Sequence, residues 1–506
     1  MSKIVKLNTP ILIAFITLIF CSACAPIGYK KFNNLYHFSS AQCNDTWQSF
    51  ADRVDRNESY DAQTYPLPHF PYLRVNRFFA SFNFQSFSSE QKKQWLAEVY
   101  ELGKEAIRVE WQNSGHSYAY DEEVIALSQI ETCIKDKIAK LITDDEFWFQ
   151  LESETNVPDN YINWRQWLGL YPLFKPIIGW QVNKLNTVFK TEFGQYLPKK
   201  TWRYYRAKQT KSQSHNEMQN IMTKARERSA LGLFQVNKQE QQTLFEYFAP
   251  HFEIETSGFY DKPGAVVWHN KHLQVRHDKP TTYTLMQHTR FDGKILLQLV
   301  YVIWFSERPK KSWLDIYGGQ LDGLMWRVTL DEDATPLLFD SVHPCGCYYK
   351  LYPNKTKLKF TGLLEDEESV VILPFTPEPK TNQQTNNSPP LISLNSQHHY
   401  VVNIRNAITK DIKTTIQRDY ELLPYNGLRA LTLNSSTVDK ATRSIFSTTG
   451  LIDKTQRLER FLLWMTGVRS PGAMRQWGNH ATAFSSRRHF DDPDFLNQYF
   501  KRSIHD

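Results

Sequence analysis

The chain has 506 residues, with 60 Lys and Arg against 53 Asp and Glu, a formal net charge of +7. Hydrophobic residues at 41% and charged residues at 22% exclude long disorder and allow a large core, and a mean hydropathy of −0.52 excludes a polytopic membrane protein. Aromatic residues reach 14%, which implies an aromatic core first and a carbohydrate- or lipid-facing surface second.

Lys3 and Lys6 precede a short apolar run, Ile11 to Phe20, that ends in Cys21-Ser22-Ala23-Cys24. A basic segment followed by an apolar stretch too short to span a bilayer comfortably reads as a secretory signal over residues 1–23. Small residues just before Cys24 resemble the lipobox of bacterial lipoproteins, with Cys21 standing where that class usually has Leu. The resemblance implies cleavage before Cys24, lipidation of its thiol and amine (palmitate among the chains), and retention on a bilayer through several acyl chains. Ala25 in place of Asp then implies an outer-membrane location facing the periplasm. The alternative is ordinary cleavage and a soluble periplasmic protein. The remainder resembles bacterial predicted lipoproteins to which no activity attaches. In that compartment the modest basic excess points to anionic lipid, an envelope polymer or an envelope protein as partner, and not to nucleic acid.

Residues 24–80 read as an extended aromatic arm, because Tyr65-Pro-Leu-Pro-His-Phe-Pro71 cannot lie inside a helix. Residues 81–225 read as mostly helical. Ser88 with Gln91 has capping-box spacing, and Trp95, Val99, Leu102, Ala106 and Val109 follow at helical intervals. A second helix follows Asp121, with Val124, Leu127, Ile134, Ile138 and Leu141 on one side. Between about 155 and 200, Pro172 and Pro176 among tryptophans predict helices broken by proline. Residues 206–222 are polar and predict an exposed connection or helix.

Residues 231–405 read as an antiparallel β region. Thr281–Phe291 and Lys294–Phe305 flank Asp292-Gly293, whose positive φ angles suit a type I′ hairpin. Ile295 to Phe305 is almost wholly apolar, as a strand buried on both faces must be. A second Asp-Gly at 322–323 predicts a turn between Trp313–Leu321 and Leu324–Leu330, and Asp331–Pro336 a third, leading to Leu337–Val342. Residues 376–398 read as a flexible loop and Tyr400–Ile404 as a return to the sheet. Residues 406–506 read as a C-terminal helical region, with a short helix over Thr455–Met465 and another beginning near Pro471. The fold class is α+β: a helical N-terminal region, a central antiparallel β-meander sheet and C-terminal helices.

Of the cysteines beyond the signal, Cys43 and Cys133 suit an ordinary disulfide closing a long loop. Cys345 and Cys347 are separated by Gly346 alone, and with His343 they offer a metal or redox candidate just after a strand. Zinc would need a fourth ligand, for which His480 or His489 is available. The alternative is a local disulfide or buried thiols at a tight turn. A further candidate is an anion site from Arg475, Arg487 and Arg488 near a helix start, the alternative being that these residues dock the C-terminus. His269, His272, His277 and His288 are scattered and form no H-E-x-x-H arrangement. No G-x-S-x-G, P-loop or G-x-G-x-x-G occurs. Two functions stand: a lipid-anchored envelope protein acting by binding or scaffolding, or an envelope metal- or thiol-dependent enzyme built around His343, Cys345 and Cys347.

Overall fold

The computed structural model describes residues 38, 40–115, 120–195, 201–208, 213–362, 367–375, 389–406, 416–433 and 441–503. The signal, Cys24 and most of the 376–398 segment lie outside the described residues. No described helix is long and apolar enough to cross a membrane.

An eleven-stranded sheet organises the chain. Its strands in chain order are β1 (Trp202–Ala207), β2 (His251–Glu255), β3 (Thr281–Phe291), β4 (Lys294–Arg308), β5 (Gly319–Leu330), β6 (Pro336–Val342), β7 (Lys350–Pro353), β8 (Val371–Ile372), β9 (Pro390–Leu394), β10 (Val401–Asn406) and β11 (Ile416–Pro424). Their order across the sheet is β8-β7-β6-β5-β4-β3-β11-β1-β2-β9-β10. From β3 to β7 it is the expected antiparallel meander. The whole sheet is mixed, because β11 inserts parallel to both β3 and β1, β9 runs parallel to β2, and β8 runs parallel to β7. The class is therefore α+β with a mixed sheet.

Strand β4 shows why the apolar run is central. Leu296, Val300, Val302 and Trp304 face one core with Met474, Trp477 and Phe490 from the C-terminal segment. Leu297, Leu299, Tyr301, Ile303 and Phe305 face the opposite core, shared with Met218, Met222, Leu244 and Phe245 of two covering helices. Those helices are His215–Glu227 and Lys238–Tyr247. The period of two puts alternate side chains into two layers, so neither face reaches water.

The N-terminal module has its own core. Helices α1 (Ala41–Arg56), α2 (Ser89–Asn113), α3 (Tyr120–Leu141) and α4 (Asp145–Glu154) enclose Trp47, Phe50, Val54, Trp95, Val99, Ile134 and Trp148. The Ser88–Gln91 capping box forms as the spacing predicts. The arm is not wholly extended. Its first part is α1, whose apolar stripe of Trp47, Phe50, Ala51 and Val54 is buried, and only Tyr65–Leu67 with Phe70–Val75 is strand. Cys43 of α1 and Cys133 of α3 are joined by a disulfide.

Three further expectations are corrected. The Asp322-Gly323 pair makes no turn: β5 runs straight through it, paired residue by residue with β4. Glycine is needed there because a Cβ would lie 2.5 Å from the Ile303 carbonyl oxygen. Pro172 and Pro176 do not break a helix. Pro172 sits in the first turn of α6 (Tyr171–Glu192), which follows the short helix α5 (Asn163–Leu168). Its missing N–H costs nothing there, and Pro176 is carried inside. No helix starts at Pro471. The C-terminal region is mainly irregular chain with short helices at Glu459–Leu462 and Phe495–Tyr499, because Gly467, Gly472 and Gly478 all adopt positive φ.

Candidate functional site

The end of the meander gathers four buried titratable side chains in a line. His343 follows the last residue of β6, and Asp322 projects from β5. His399 lies in the turn between β9 and β10, and Asp261 ends a short 3-10 turn, Phe259–Asp261. His343 Nδ1 meets Asp322 Oδ1 at 3.3 Å, and His399 Nδ1 meets Asp322 Oδ2 at 2.7 Å. His399 Nε2 faces Asp261 Oδ1 at 3.4 Å. Asp261 is fixed in turn by the backbone N–H groups of Ser257, Gly258 and Gln397 and by the Ser396 hydroxyl.

The electrostatics assign the protons. Burial opposes ionisation of Asp322, yet His343 and His399 hold its carboxyl well below the usual carboxylate range. Burial also opposes charge on His399, but the neighbouring Asp261 and Asp322 carboxylates hold it above the ordinary imidazole value. Burial wins at His343 and lowers it, despite Asp322. The shifts thus favour ionised Asp261 and Asp322 and a neutral His343, with the proton held more readily on His399 than on His343. With its Nδ1–H donated to the Asp322 carboxylate, His343 keeps Nε2 as an acceptor, and Nε2 has no hydrogen-bond partner among the described residues.

Around His343 stand Tyr348 and Tyr400, with ring centroids 5.0 and 5.5 Å from its own. Both tyrosines line a cavity of about 520 Å³ between α6 and this end of the sheet. Arg308, the last residue of β4, donates to the Tyr348 hydroxyl at 3.2 Å and reaches the same cavity. A wall from α6 is mainly apolar, with Ile177, Ile178, Val182, Leu185, Val188 and Phe189 beside the polar Gln181, Lys184 and Asn186.

Glu459 also lines this cavity and is buried, with no hydrogen bond to its carboxylate among the described residues. Desolvation outweighs the nearby Arg308, Arg457 and Arg475 and pushes its carboxyl up to about 7. Two of those arginines are engaged with backbone oxygens, Arg457 with Gln320 and Leu321 and Arg475 with Cys345, Arg469 and Ser470. They raise the local potential without pairing.

The thiol candidate is partly assembled. His343 to Cys347 form a tight turn, with Gly346 N donating to the His343 carbonyl at 2.8 Å and His343 N donating to that of Cys347 at 3.0 Å. Cys345 and Cys347 are both buried free thiols, not a disulfide. The neighbouring Cys345 thiol and burial push Cys347 well above the ordinary thiol value, the reverse of what a reactive thiolate needs. His480 lies against the Pro344 carbonyl on the same turn, and burial holds it down at about 3. His489 is elsewhere, with Nε2 3.0 Å from Asp159 and its ring against Tyr161. Among the described residues no three His, Cys, Asp or Glu side chains cluster as a metal ion would require.

The anion candidate is corrected. Arg475 donates to backbone carbonyls, and Arg488 donates to the Glu368 carbonyl and to Thr482. Arg487 is exposed and pairs with Asp159, 2.6 Å away. The three guanidiniums are spent separately on docking the C-terminal segment and do not converge. His269 and His272 face each other on an exposed hairpin, while His288 is half-buried and accepts from Phe234 N.

Sequence reasoning missed Asp261, His399, Arg308 and Glu459. No spacing connects them, since they come from four separate elements. The one available signal was Asp322-Gly323, a turn-like pair inside a strand-like run. A second cleft, of about 920 Å³, opens beside Lys271, His272, Arg443 and Lys454. Those charges are exposed, whereas Glu459 and Cys347, which line the cavity under α6, are buried.

Comparison with known proteins gives no match: no family model, no curated protein and no solved structure corresponds to the chain.

Proposed function

We propose that this chain is a lipid-anchored bacterial cell-envelope protein that acts by binding, holding a ligand with an apolar body and a polar head in the cavity under α6. The observation that carries the reading is the two-sided lining: aliphatic side chains of one helix face Arg308, Tyr348, Tyr400 and Glu459 across the same space. Apolar walls with a few convergent polar groups are what a ligand pocket needs for affinity and orientation. Anchoring rests on the basic segment, the apolar run and the small residues before Cys24. A Cys24→Ser chain should incorporate no labelled palmitate; continued labelling would refute lipidation at that residue.

The pocket is tested with anilinonaphthalene sulfonate, an apolar probe with an anionic head. Saturable one-site binding that weakens by about tenfold in Arg308→Gln, as loss of one charge-assisted contact implies, supports it. Unsaturable binding, or binding indifferent to both Arg308→Gln and Leu185→Arg, would refute it.

One observation favours an enzyme instead. A neutral His343 hydrogen-bonded to Asp322, with its Nε2 unpartnered, and a Glu459 carboxyl near neutrality are the materials of general acid–base chemistry. In that reading Glu459 handles a proton at the polar end of the cavity, and His343 lies behind Tyr348 and Tyr400, which line it, on the turn that the buried thiols shape. A turnover assay on any hydrolysable bound ligand, with His343→Gln as the variant, separates catalysis from holding.

A further inference from the structure

Helix α6 is 22 residues long, yet Phe189 is its one buried side chain among the described residues. Leu173, Phe174, Ile177 and Trp180 are exposed, at 69%, 40%, 57% and 59% of their full areas. The preceding helix, Asn163–Leu168, adds Trp164 and Trp167, the latter 80% exposed. Apart from Phe149, Phe259 and Leu423, every exposed large hydrophobic side chain among the described residues lies on three segments: 164–188, 313–317 and 458–462. These are neighbours. Ile177, Lys184 and Leu185 of α6, Ile316 and Tyr317 of the second segment, and Leu462 of the third line the same cavity. The apolar surface therefore forms the rim of the candidate pocket, not a scatter of single residues.

Its exposed charges are mainly basic, and Glu459, the acid on the third segment, is buried. Helix α6 carries Lys175, Lys184 and Lys190, and its sole acid is its last residue, Glu192. Lys310 and Lys311 precede Trp313, and Arg460 precedes Phe461. Lys184 sits over the Trp180 ring at 5.6 Å and Arg460 over Phe461 at 4.6 Å. Asp315, the acid on the second segment, is committed to the backbone N–H groups of Lys311, Tyr317 and Gly318. Tryptophan interleaved with lysine on an exposed apolar helix matches the bilayer interface, where rings sit at headgroup depth and ammonium groups meet lipid phosphates. The tether sets an upper bound: Cys24 and Phe38, the first described residue, are fourteen residues apart in sequence, so they can be no more than about 45 Å apart.

We infer that α6 and its two flanking segments form a bilayer-docking surface, which sets the cavity mouth at the lipid interface and makes a membrane amphiphile the class of ligand that enters. The ligand class rests on the binding reading above; the docking surface does not. The test is backbone hydrogen exchange of the full lipidated chain, with and without vesicles of phosphatidylethanolamine and phosphatidylglycerol. Residues 164–188 should exchange about an order of magnitude more slowly on vesicles. The triple variant Trp167→Ser, Leu173→Ser, Trp180→Ser should lose that slowing, with palmitate labelling and thermal midpoint unchanged. These side chains are exposed, so the fold does not depend on them. Equal exchange with and without vesicles, in a chain shown to be vesicle-bound, would overturn the docking surface. So would protection that appears without lipid and grows with protein concentration, since a second copy would then be the occupant. Slowed exchange on vesicles in a chain that takes up no palmitate would sink the Cys24 anchor and leave the docking surface standing.

Discussion

Phe305 holds the His399 ring flat, with centroids 3.8 Å apart and 6° between the planes, and so aims Nδ1 at Asp322 Oδ2, 2.7 Å away. The stack and the carboxylate fix the imidazole in a fully buried position. Replacing Asp322 by Asn removes the charge and strands His399 beside an amide. Breaking a buried pair by deleting one partner costs about 3–5 kcal/mol. Asp322→Asn should lower the urea-unfolding free energy at pH 7 by roughly that amount. The native Asp322 pKa lies below its ordinary value of 3.8, so the contribution is complete above that value and fades as pH falls below it. The wild-type and variant curves should therefore approach one another in acid. A gap independent of pH would mean that Asp322 acts by shape and not by charge.

This network also marks how far the sequence could be read. Asp292-Gly293 and Asp322-Gly323 are the same dipeptide. At the first, φ angles of 55° and 71° make the hairpin turn that the dipeptide favours. At the second, pairing with β4 keeps the backbone extended, and glycine serves close approach to Ile303 while aspartate serves two histidines from elsewhere in the chain. Local propensity was overridden by tertiary contact. The apolar run of β4 was legible because its period is a property of the strand alone. The parallel insertion of β11 was not, since its partners β1 and β3 are far away in sequence. His343, Cys345 and Cys347 could be singled out as a cluster within five residues. Glu459 could not, because its neighbours come from β4, the 343–347 turn and the C-terminal segment.

The Cys43–Cys133 bond spans 90 residues of chain and ties α1 to α3. By loop-closure entropy a cross-link of that span is worth about 4.6 kcal/mol. The double variant Cys43→Ala, Cys133→Ala should lose about that much in the N-terminal module. Because the sheet has its own two cores, hydrogen exchange should rise first in α1 and α3 and later in β4. Uniform loss of protection across both would show that the module and the sheet unfold as one unit.

Gly346 has φ of 90°, and a Cβ there would lie 2.2 Å from the Ala481 carbonyl oxygen. Gly346→Ala therefore meets both a left-handed backbone and a backbone clash that no rotamer relieves. A loss of at least about 2 kcal/mol is expected, the sum of a strained backbone and a displaced contact. The C-terminal segment is the part displaced, so the variant should also expose Cys345 and Cys347. Their labelling by a maleimide reagent should accelerate well before global unfolding. If stability falls with both thiols still protected, the turn is not what shields them.

Glu459 gives the sharpest pH prediction. Its carboxyl is raised from an ordinary 4.5 to about 7 because burial outweighs three nearby arginines. Between those values the folded chain keeps a proton that the unfolded chain releases, so stability falls as pH rises and the full penalty is present above 7. A displacement of that size corresponds to about 3 kcal/mol. Glu459→Gln keeps the shape and cannot ionise. The wild type should therefore lose about 3 kcal/mol relative to the variant between pH 4.5 and 7, measured as the difference of their urea-unfolding free energies. Ligand binding should follow the same proton. An anionic head near Arg308 is tolerated while Glu459 is neutral and repelled once it ionises, so binding of anilinonaphthalene sulfonate should weaken through pH 7 in the wild type and stay level in Glu459→Gln. Parallel stability curves for the two proteins would show that the arginines hold Glu459 ionised throughout, and the cavity floor would then be a fixed ion cluster that no pH change in this range can switch.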